Sequence, residues 1–143
     1  MTEALAAYGT LVKVGDGGDP ETFATIAELL DISGPNWRLS TEDATNHSSP
    51  SAWGEKIATI KDGDDITFQV NYVPDGTSHG YTSGLLKLLD DRALTNFQVV
   101  FPDTGSTTWE FAGYVAGVGP GAPVRGKLTA AITISIAAAP TLA

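Results

Sequence analysis

Only two histidines, His47 and His79, offer side chains that ordinarily titrate near neutral pH, and they limit the proton-transfer chemistry available to this sequence. They lie far apart in polar, loop-like surroundings, so two solvated loop histidines are expected, and no metal pair. Asp62, Asp64 and Asp65 crowd one turn, and Asp16 and Asp19 another. A calcium loop needs carboxylates at set positions and a bidentate Glu at its end, and neither stretch has that spacing. Asp and Gly are also what tight turns require of their own backbone. Gly15 to Gly18 resembles a phosphate loop only superficially. Asp16 and Asp19 would repel phosphate, and no lysine and helix follow.

A serine nucleophile needs a partner base and a strained Gly-x-Ser-x-Gly elbow, and none is expected here. Paired carboxylates for glycoside chemistry stay open because acidic residues are plentiful, yet none is singled out. Trp37, Trp53 and Trp109 could stack on a sugar, although large aromatics in β-rich chains more often serve core or interface. The inventory gives no catalytic residue, cofactor site or metal site, and the chain is not expected to be an enzyme.

The composition narrows the class further. Its 143 residues fit a single domain with a real core. No cysteine is present, which removes disulfides and thiolate metal sites. Eight Lys and Arg face 17 Asp and Glu, for a net charge of -9. Such a chain grips nucleic acid poorly, because phosphate binding needs cations that displace counterions. The first eight residues lack a signal-peptide pattern, and no apolar run reaches membrane-spanning length, so cytoplasmic folding and no membrane insertion are expected.

Several elements must position whatever function remains. Val12–Val14 reads as a strand before the Gly15–Pro20 turn. Phe23 to Ile32 fits either a helical turn or a strand entering a bend. Ile66, Phe68, Val70 and Tyr72 alternate with polar residues, the pattern of a half-buried strand. A helix is predicted at about residues 78–92, with Tyr81, Leu85, Leu88 and Leu89 as its apolar stripe. Strands follow around Phe97–Phe101, Trp109–Val115 and Ile132–Ile136, with Gly117 to Gly126 as an irregular exposed connection. The fold class is α+β, mainly β: an antiparallel sandwich or barrel with one flanking helix. Residues 1–143 form one domain, with a flexible tail at about 137–143. The long polar stretch at about 36–56 shows no sustained period, and loops of that length are usually functional.

In sequence order, several short motifs resemble the major tail tube protein of long-tailed, non-contractile phages. They begin with Gly9–Gly17, Phe23–Glu28 and Glu42-Asp43-Ala44-Thr45-Asn46-His47. Trp53–Ile57 and Ile60–Gly63 then lead to the central strand. Val73–Asp75, Phe97–Pro102 and Trp109–Val115 complete a similarity that covers roughly residues 8–136. Many relatives carry an additional immunoglobulin-like domain on the tube exterior, and none is expected within these 143 residues.

The resemblance implies a virion protein that polymerises as stacked hexameric rings into a tail tube, a fold shared with contractile-tail tubes and the type VI secretion ring. Its partners would be copies of itself and the tape-measure, tail terminator and tail-tip proteins. Double-stranded DNA would pass through without specific binding, and assembly would take place in the host cytoplasm. The long loop would bridge subunits and rings through Asn36, Trp37, Arg38, Glu42, Asp43, Asn46, His47, Trp53 and Glu55, with the two tryptophans as buried anchors. Thr67, Gln69, Asn71 and Glu110 are the expected lumen-facing residues, within an acidic bore. The rival expectation is a β-sandwich carbohydrate- or receptor-binding module.

Overall fold

A computed structural model describes residues 2–142. Ten strands and two short helices make up the described chain. They are β1 (Leu11–Gly15), β2 (Phe23–Thr25), β3 (Leu29–Ser33), β4 (Trp37–Asp43), a 3-10 turn (Pro50–Ala52), β5 (Lys56–Gly63), β6 (Ile66–Asn71), α1 (Leu85–Asp90), β7 (Thr95–Val100), β8 (Thr108–Gly121), β9 (Thr129–Ile136) and β10 (Thr141–Leu142). Eight of the strands form one antiparallel sheet in the order β2-β1-β7-β8-β9-β6-β3, with β10 added to β8.

β8 organises this sheet. Its first part, Thr108–Gly113, pairs with β7, and its second part, Gly113–Gly121, pairs with β9. The register shifts between Val115 and Gly117. A bulge of this kind bends a strand and increases its twist, so one strand can serve two sheet halves. Phe97, Val99 and Phe111 from one half then share a single core with Ile66, Phe68, Val70, Ile132 and Ile134 from the other. Gly113 sits at the switch, where an added Cβ would come 2.5 Å from the Ser135 carbonyl oxygen. The arrangement is a mostly β sandwich-like fold whose sheet does not close into a barrel.

Three stretches differ from the sequence expectation. The Phe23–Ile32 ambiguity resolves as two strands, β2 and β3, parted by a turn with Glu28 at φ 60°. The flanking helix is present but occupies only Leu85–Asp90. Before it, residues 77–84 wind through close turns at Gly76, Gly80 and Gly84, and a Cβ at Gly84 would meet Gly80 N at 2.5 Å. Leu85 is buried and Leu88 and Leu89 pack on the core, but Tyr81 points away and donates its hydroxyl hydrogen to Asp90. Gly117–Gly121 is no irregular connection, since it continues β8 against Thr129–Thr133. Glycine and proline have little strand propensity, so backbone pairing there left no trace in side-chain pattern.

Candidate functional site: a projecting arm and an uncharged sheet face

The long polar stretch holds β4, Trp37–Asp43, then a hydrogen-bonded tip with a 3-10 turn at Pro50–Ala52, and ends where β5 begins at Lys56. β4 and β5 form a separate two-stranded antiparallel sheet, with Trp37 opposite Gly63 and Asp43 opposite Lys56. Apart from its base, the hairpin is exposed on both faces, so it projects as an arm. That explains why no alternation was visible: period 2 appears only where one face is buried.

Trp37 anchors the base. Its ring lies 5.9 Å from that of Trp109 and 6.3 Å from that of Phe111, and Trp109 meets Phe101 edge-on at 5.0 Å. An added Cβ at Gly63 would come within 2.7 Å of the Trp37 indole, so the absence of a side chain there is what seats the ring. Trp37 Nε1 is buried with no hydrogen-bond partner among the described residues. Arg38 reaches Asp64 at 2.8 Å and Asp62 at 3.8 Å, an exposed cluster that absorbs two of the turn aspartates. Asn36 is exposed beside this base.

The tip is held by its own hydrogen bonds. The Thr45 hydroxyl donates to Asp43 at 2.6 Å, the Thr45 amide donates to the same carboxylate at 2.9 Å, and the Glu55 amide donates to Thr45 Oγ1 at 2.8 Å. Ser49 donates to Glu55 at 2.6 Å, and Asn46 accepts from the Ser48 amide. The two Thr45 donors, the hydroxyl first, hold the Asp43 carboxyl below the usual aspartate range. Glu42 and His47 are exposed nearby. Trp53 is 74% exposed, and Leu39, Ile57 and Ile60 are exposed along the arm. Of the two expected tryptophan anchors, Trp37 therefore packs on its own subunit and Trp53 touches solvent.

The four expected lumen residues all lie outside the core, in two places. Thr67 and Gln69 are exposed and Asn71 half-buried on the outer face of β6. Their cross-strand partners on β9 are Thr133, Ala131 and Thr129, which in turn face Gly117, Gly119 and Gly121 of β8. Glu110 lies on the other half of the sheet, between Gln98 and Thr141. β6, β9 and the Phe111–Gly121 part of β8 contain no Asp, Glu, Lys, Arg or His. Apart from residues such as Asp31 on β3 and Glu110 on β8, the acidic residues gather in turns, on the arm and at the end of α1.

His79 is not a solvated loop histidine. It is buried, stacked on Tyr72, and its Nδ1 accepts the Val73 amide at 3.1 Å while Nε2 lies 2.8 Å from the Ala27 carbonyl oxygen. Those partners define a neutral Nε2-protonated ring. One Gly-x-Ser-x-Gly pattern does occur, at Gly76-Thr77-Ser78-His79-Gly80, against the expectation of none. Ser78 Oγ accepts the Ala27 amide at 3.4 Å, and both nitrogens of the adjacent His79 serve the backbone. The segment ties the β2–β3 turn to the β6–α1 connection, and this histidine has no free nitrogen to act as a base. The proposed tryptophan platform does not form either, because Trp37 and Trp109 are spent on each other.

An open sheet that carries a long, self-ordered arm has the build of a subunit made for assembly. The chain belongs to the lambda phage tail tube protein family, whose family model matches residues 10–143. It is a structural component of the virion tail. Among curated proteins none matches. Among solved structures, a chain from the tail of an empty gene transfer agent particle with C6 symmetry is similar at 19% identity and TM-score 0.78, over 98% of this chain and 99% of that one. A chain of the native gene transfer agent virion gives 18% and 0.75, over 98% and 99%. One from the extended sheath–tube complex of an extracellular contractile injection system gives 13% and 0.73, over 100% and 93%. These likenesses establish the shared fold.

Proposed function

We propose that this chain assembles as hexameric rings that stack into the tail tube, with DNA delivered through the bore. The carrying observation is the arm: a self-ordered hairpin with Trp53 exposed, attached to a family of tail tube proteins. Exposed apolar groups on a projecting element gain stability when a neighbour covers them. Stacking identical rings makes a head-to-tail, open-ended filament, so the arm of one copy meets a different surface of the next. The C6 symmetry of the related tail supports six copies per ring. Asn36 to Glu55 would form the inter-ring contact, and tape-measure, terminator and tip proteins would meet the ends of the tube. Subunits would fold in the host cytoplasm before assembly.

Thr67, Gln69 and Asn71 are the residues we place toward the bore, with Glu110 nearer a flank. The non-stick character of such a wall then arises from lack of charge rather than from negative charge. Hydroxyl, amide and glycine groups displace no counterions from a duplex, so DNA gains no binding energy from them. Negative-stain microscopy of the purified protein tests the assembly. Tubes with a central channel are expected; a protein that stays monomeric at high concentration and changes its tryptophan fluorescence with glycans would favour the carbohydrate-binding alternative.

A further inference from the structure

Charge is distributed unevenly along this chain. From Phe111 to Ala143 there is no Asp or Glu, so all 17 acids precede that stretch, and its only Lys and Arg are Arg125 and Lys127. Both lie in the exposed connection between β8 and β9, where the Gly126 amide donates to the Pro123 carbonyl oxygen at 3.3 Å and closes a tight turn. Val124 and Arg125 stand at its apex, and Val124 is fully exposed. Elsewhere cations come with acids. Arg38 and Lys87 are ion-paired, Lys56, Lys61 and Arg92 each adjoin an acid in sequence, and Lys13 lies inside β1 between β2 and β7. Among the described residues, the β8–β9 turn is the one connection that carries cations and no acid.

We infer that this turn docks on a second copy, in the open groove between the N-terminal segment, the β2–β3 region and the end of β7, with Val124 on the apolar wall and Arg125 and Lys127 facing the acids. The inference rests on the assembly reading above and adds a second contact, made by a different hairpin from the arm. The groove measures about 1230 Å³, and Leu30, Ile32 and Phe101 form part of its wall. Its charged lining is Glu28, Asp31 and Asp103, with no Lys, Arg or His among the described residues. Charge therefore selects the occupant, because every other charged connection would bring at least one acid to these three carboxylates. Both sides are unclaimed: Glu28 and Asp31 are exposed, and no ion pair among the described residues ties Arg125 or Lys127 to an acid of their own chain. Identical copies of net charge -9 repel one another as whole molecules. A local contact of opposite sign offsets that repulsion and fixes the orientation of docking. The turn is already closed by its own hydrogen bond, so docking orders little new backbone.

The cysteine-free chain makes the test clean. Val124→Cys protein co-assembled with Leu30→Cys protein should give linked pairs on non-reducing gels after oxidation, and neither protein assembled alone should. Independently, Arg125→Glu and Asp31→Arg should each slow tube growth about ten-fold by light scattering, with melting temperature unchanged, and the double variant should recover most of the rate. Asp31→Arg is the sharper arm. It moves the net charge toward neutrality, so general repulsion alone would speed growth. Should the cysteines themselves block assembly, the charge series decides alone. Tubes that form without linked pairs, or Asp31→Arg growth that is unchanged or faster, overturn this inference and leave the tube intact. Wild-type tubes that capture a short DNA duplex, with the capture abolished by Arg125→Glu and Lys127→Glu together, would give the turn to nucleic acid and overturn it equally. A wild-type chain that never polymerises overturns the assembly reading and this inference together.

Discussion

The indole of Trp37 lies against the α-carbon of Gly63, across the first rung of the arm, close enough that a methyl group there would sit 2.7 Å from the ring. This contact fixes where the arm leaves the body. Gly63→Ala should therefore push Trp37 off Trp109 and lower stability by about 1–3 kcal/mol, the usual cost of overpacking. Thermal unfolding followed by tryptophan emission checks it. An unchanged midpoint would mean that the indole has room to move.

The two arm tryptophans should separate stability from assembly. Trp37→Ala removes an aromatic packed on Trp109 and Phe111 and should cost about 3 kcal/mol. Trp53→Ala removes an exposed ring and should change the monomer by less than about 0.5 kcal/mol. The same Trp53→Ala protein should fail to form tubes. Denaturant unfolding and microscopy of both variants decide this, and normal tubes from Trp53→Ala would remove the tip from the interface.

His79 makes the opposite kind of prediction. His79→Leu keeps an apolar body but leaves the Val73 amide and the Ala27 carbonyl without their side-chain partner. Polar groups stranded at this part-buried site cost about 1 kcal/mol each, so a fall in melting temperature is expected, while His47→Ala should be silent. A serine-directed acylating reagent should leave Ser78 unmodified, since no neighbouring base activates it.

At the arm tip, hydrogen bonds from Thr45 lower the Asp43 carboxyl. A carboxylate lowered in the folded state stabilises above its unfolded value of about 3.9, and that contribution disappears as pH falls through the lower folded value. Carboxyl NMR titration should place the Asp43 midpoint below the ordinary value, and Thr45→Val should return it upward. The Asp103 carboxyl, bonded to the Thr107 hydroxyl and amide, should behave in the same way. A midpoint for Asp43 that ignores Thr45→Val would show the tip to be loose.

The legible parts of this fold are those with one face in the core. Ile66, Phe68 and Val70 alternate with Thr67 and Gln69 because β6 is buried on one side, and Ile132 and Ile134 repeat the pattern on its partner. β4 and β5 carried no such signature because solvent lies on both faces, and the pairing is backbone chemistry that side chains need not report. His79 was misjudged for a related reason. One of its hydrogen-bond partners is Ala27, 52 residues away, a contact that no local window contains. The motifs shared with tail tube proteins conveyed the role more clearly than composition did. Most of the acidic residues sit in turns and on the arm, where turn geometry and exposed edges favour them.

The placement of Thr67 and Gln69 toward the bore can be tested by giving that face a charge. Wild-type tubes should not retain a short duplex at any salt, since an uncharged wall releases no counterions. Gln69→Lys keeps the core side of β6 untouched, so tubes should still form, now with a ring of ammonium groups on one surface. If that surface faces the channel, the duplex will co-sediment at low salt, be lost as salt rises, and resist nuclease while bound. Glu110→Lys, on the other half of the sheet, should produce weaker retention if it lies toward a flank. A duplex that binds Gln69→Lys tubes but is digested freely would place this face on the outside, and the neutral-wall account of DNA passage would fail with it.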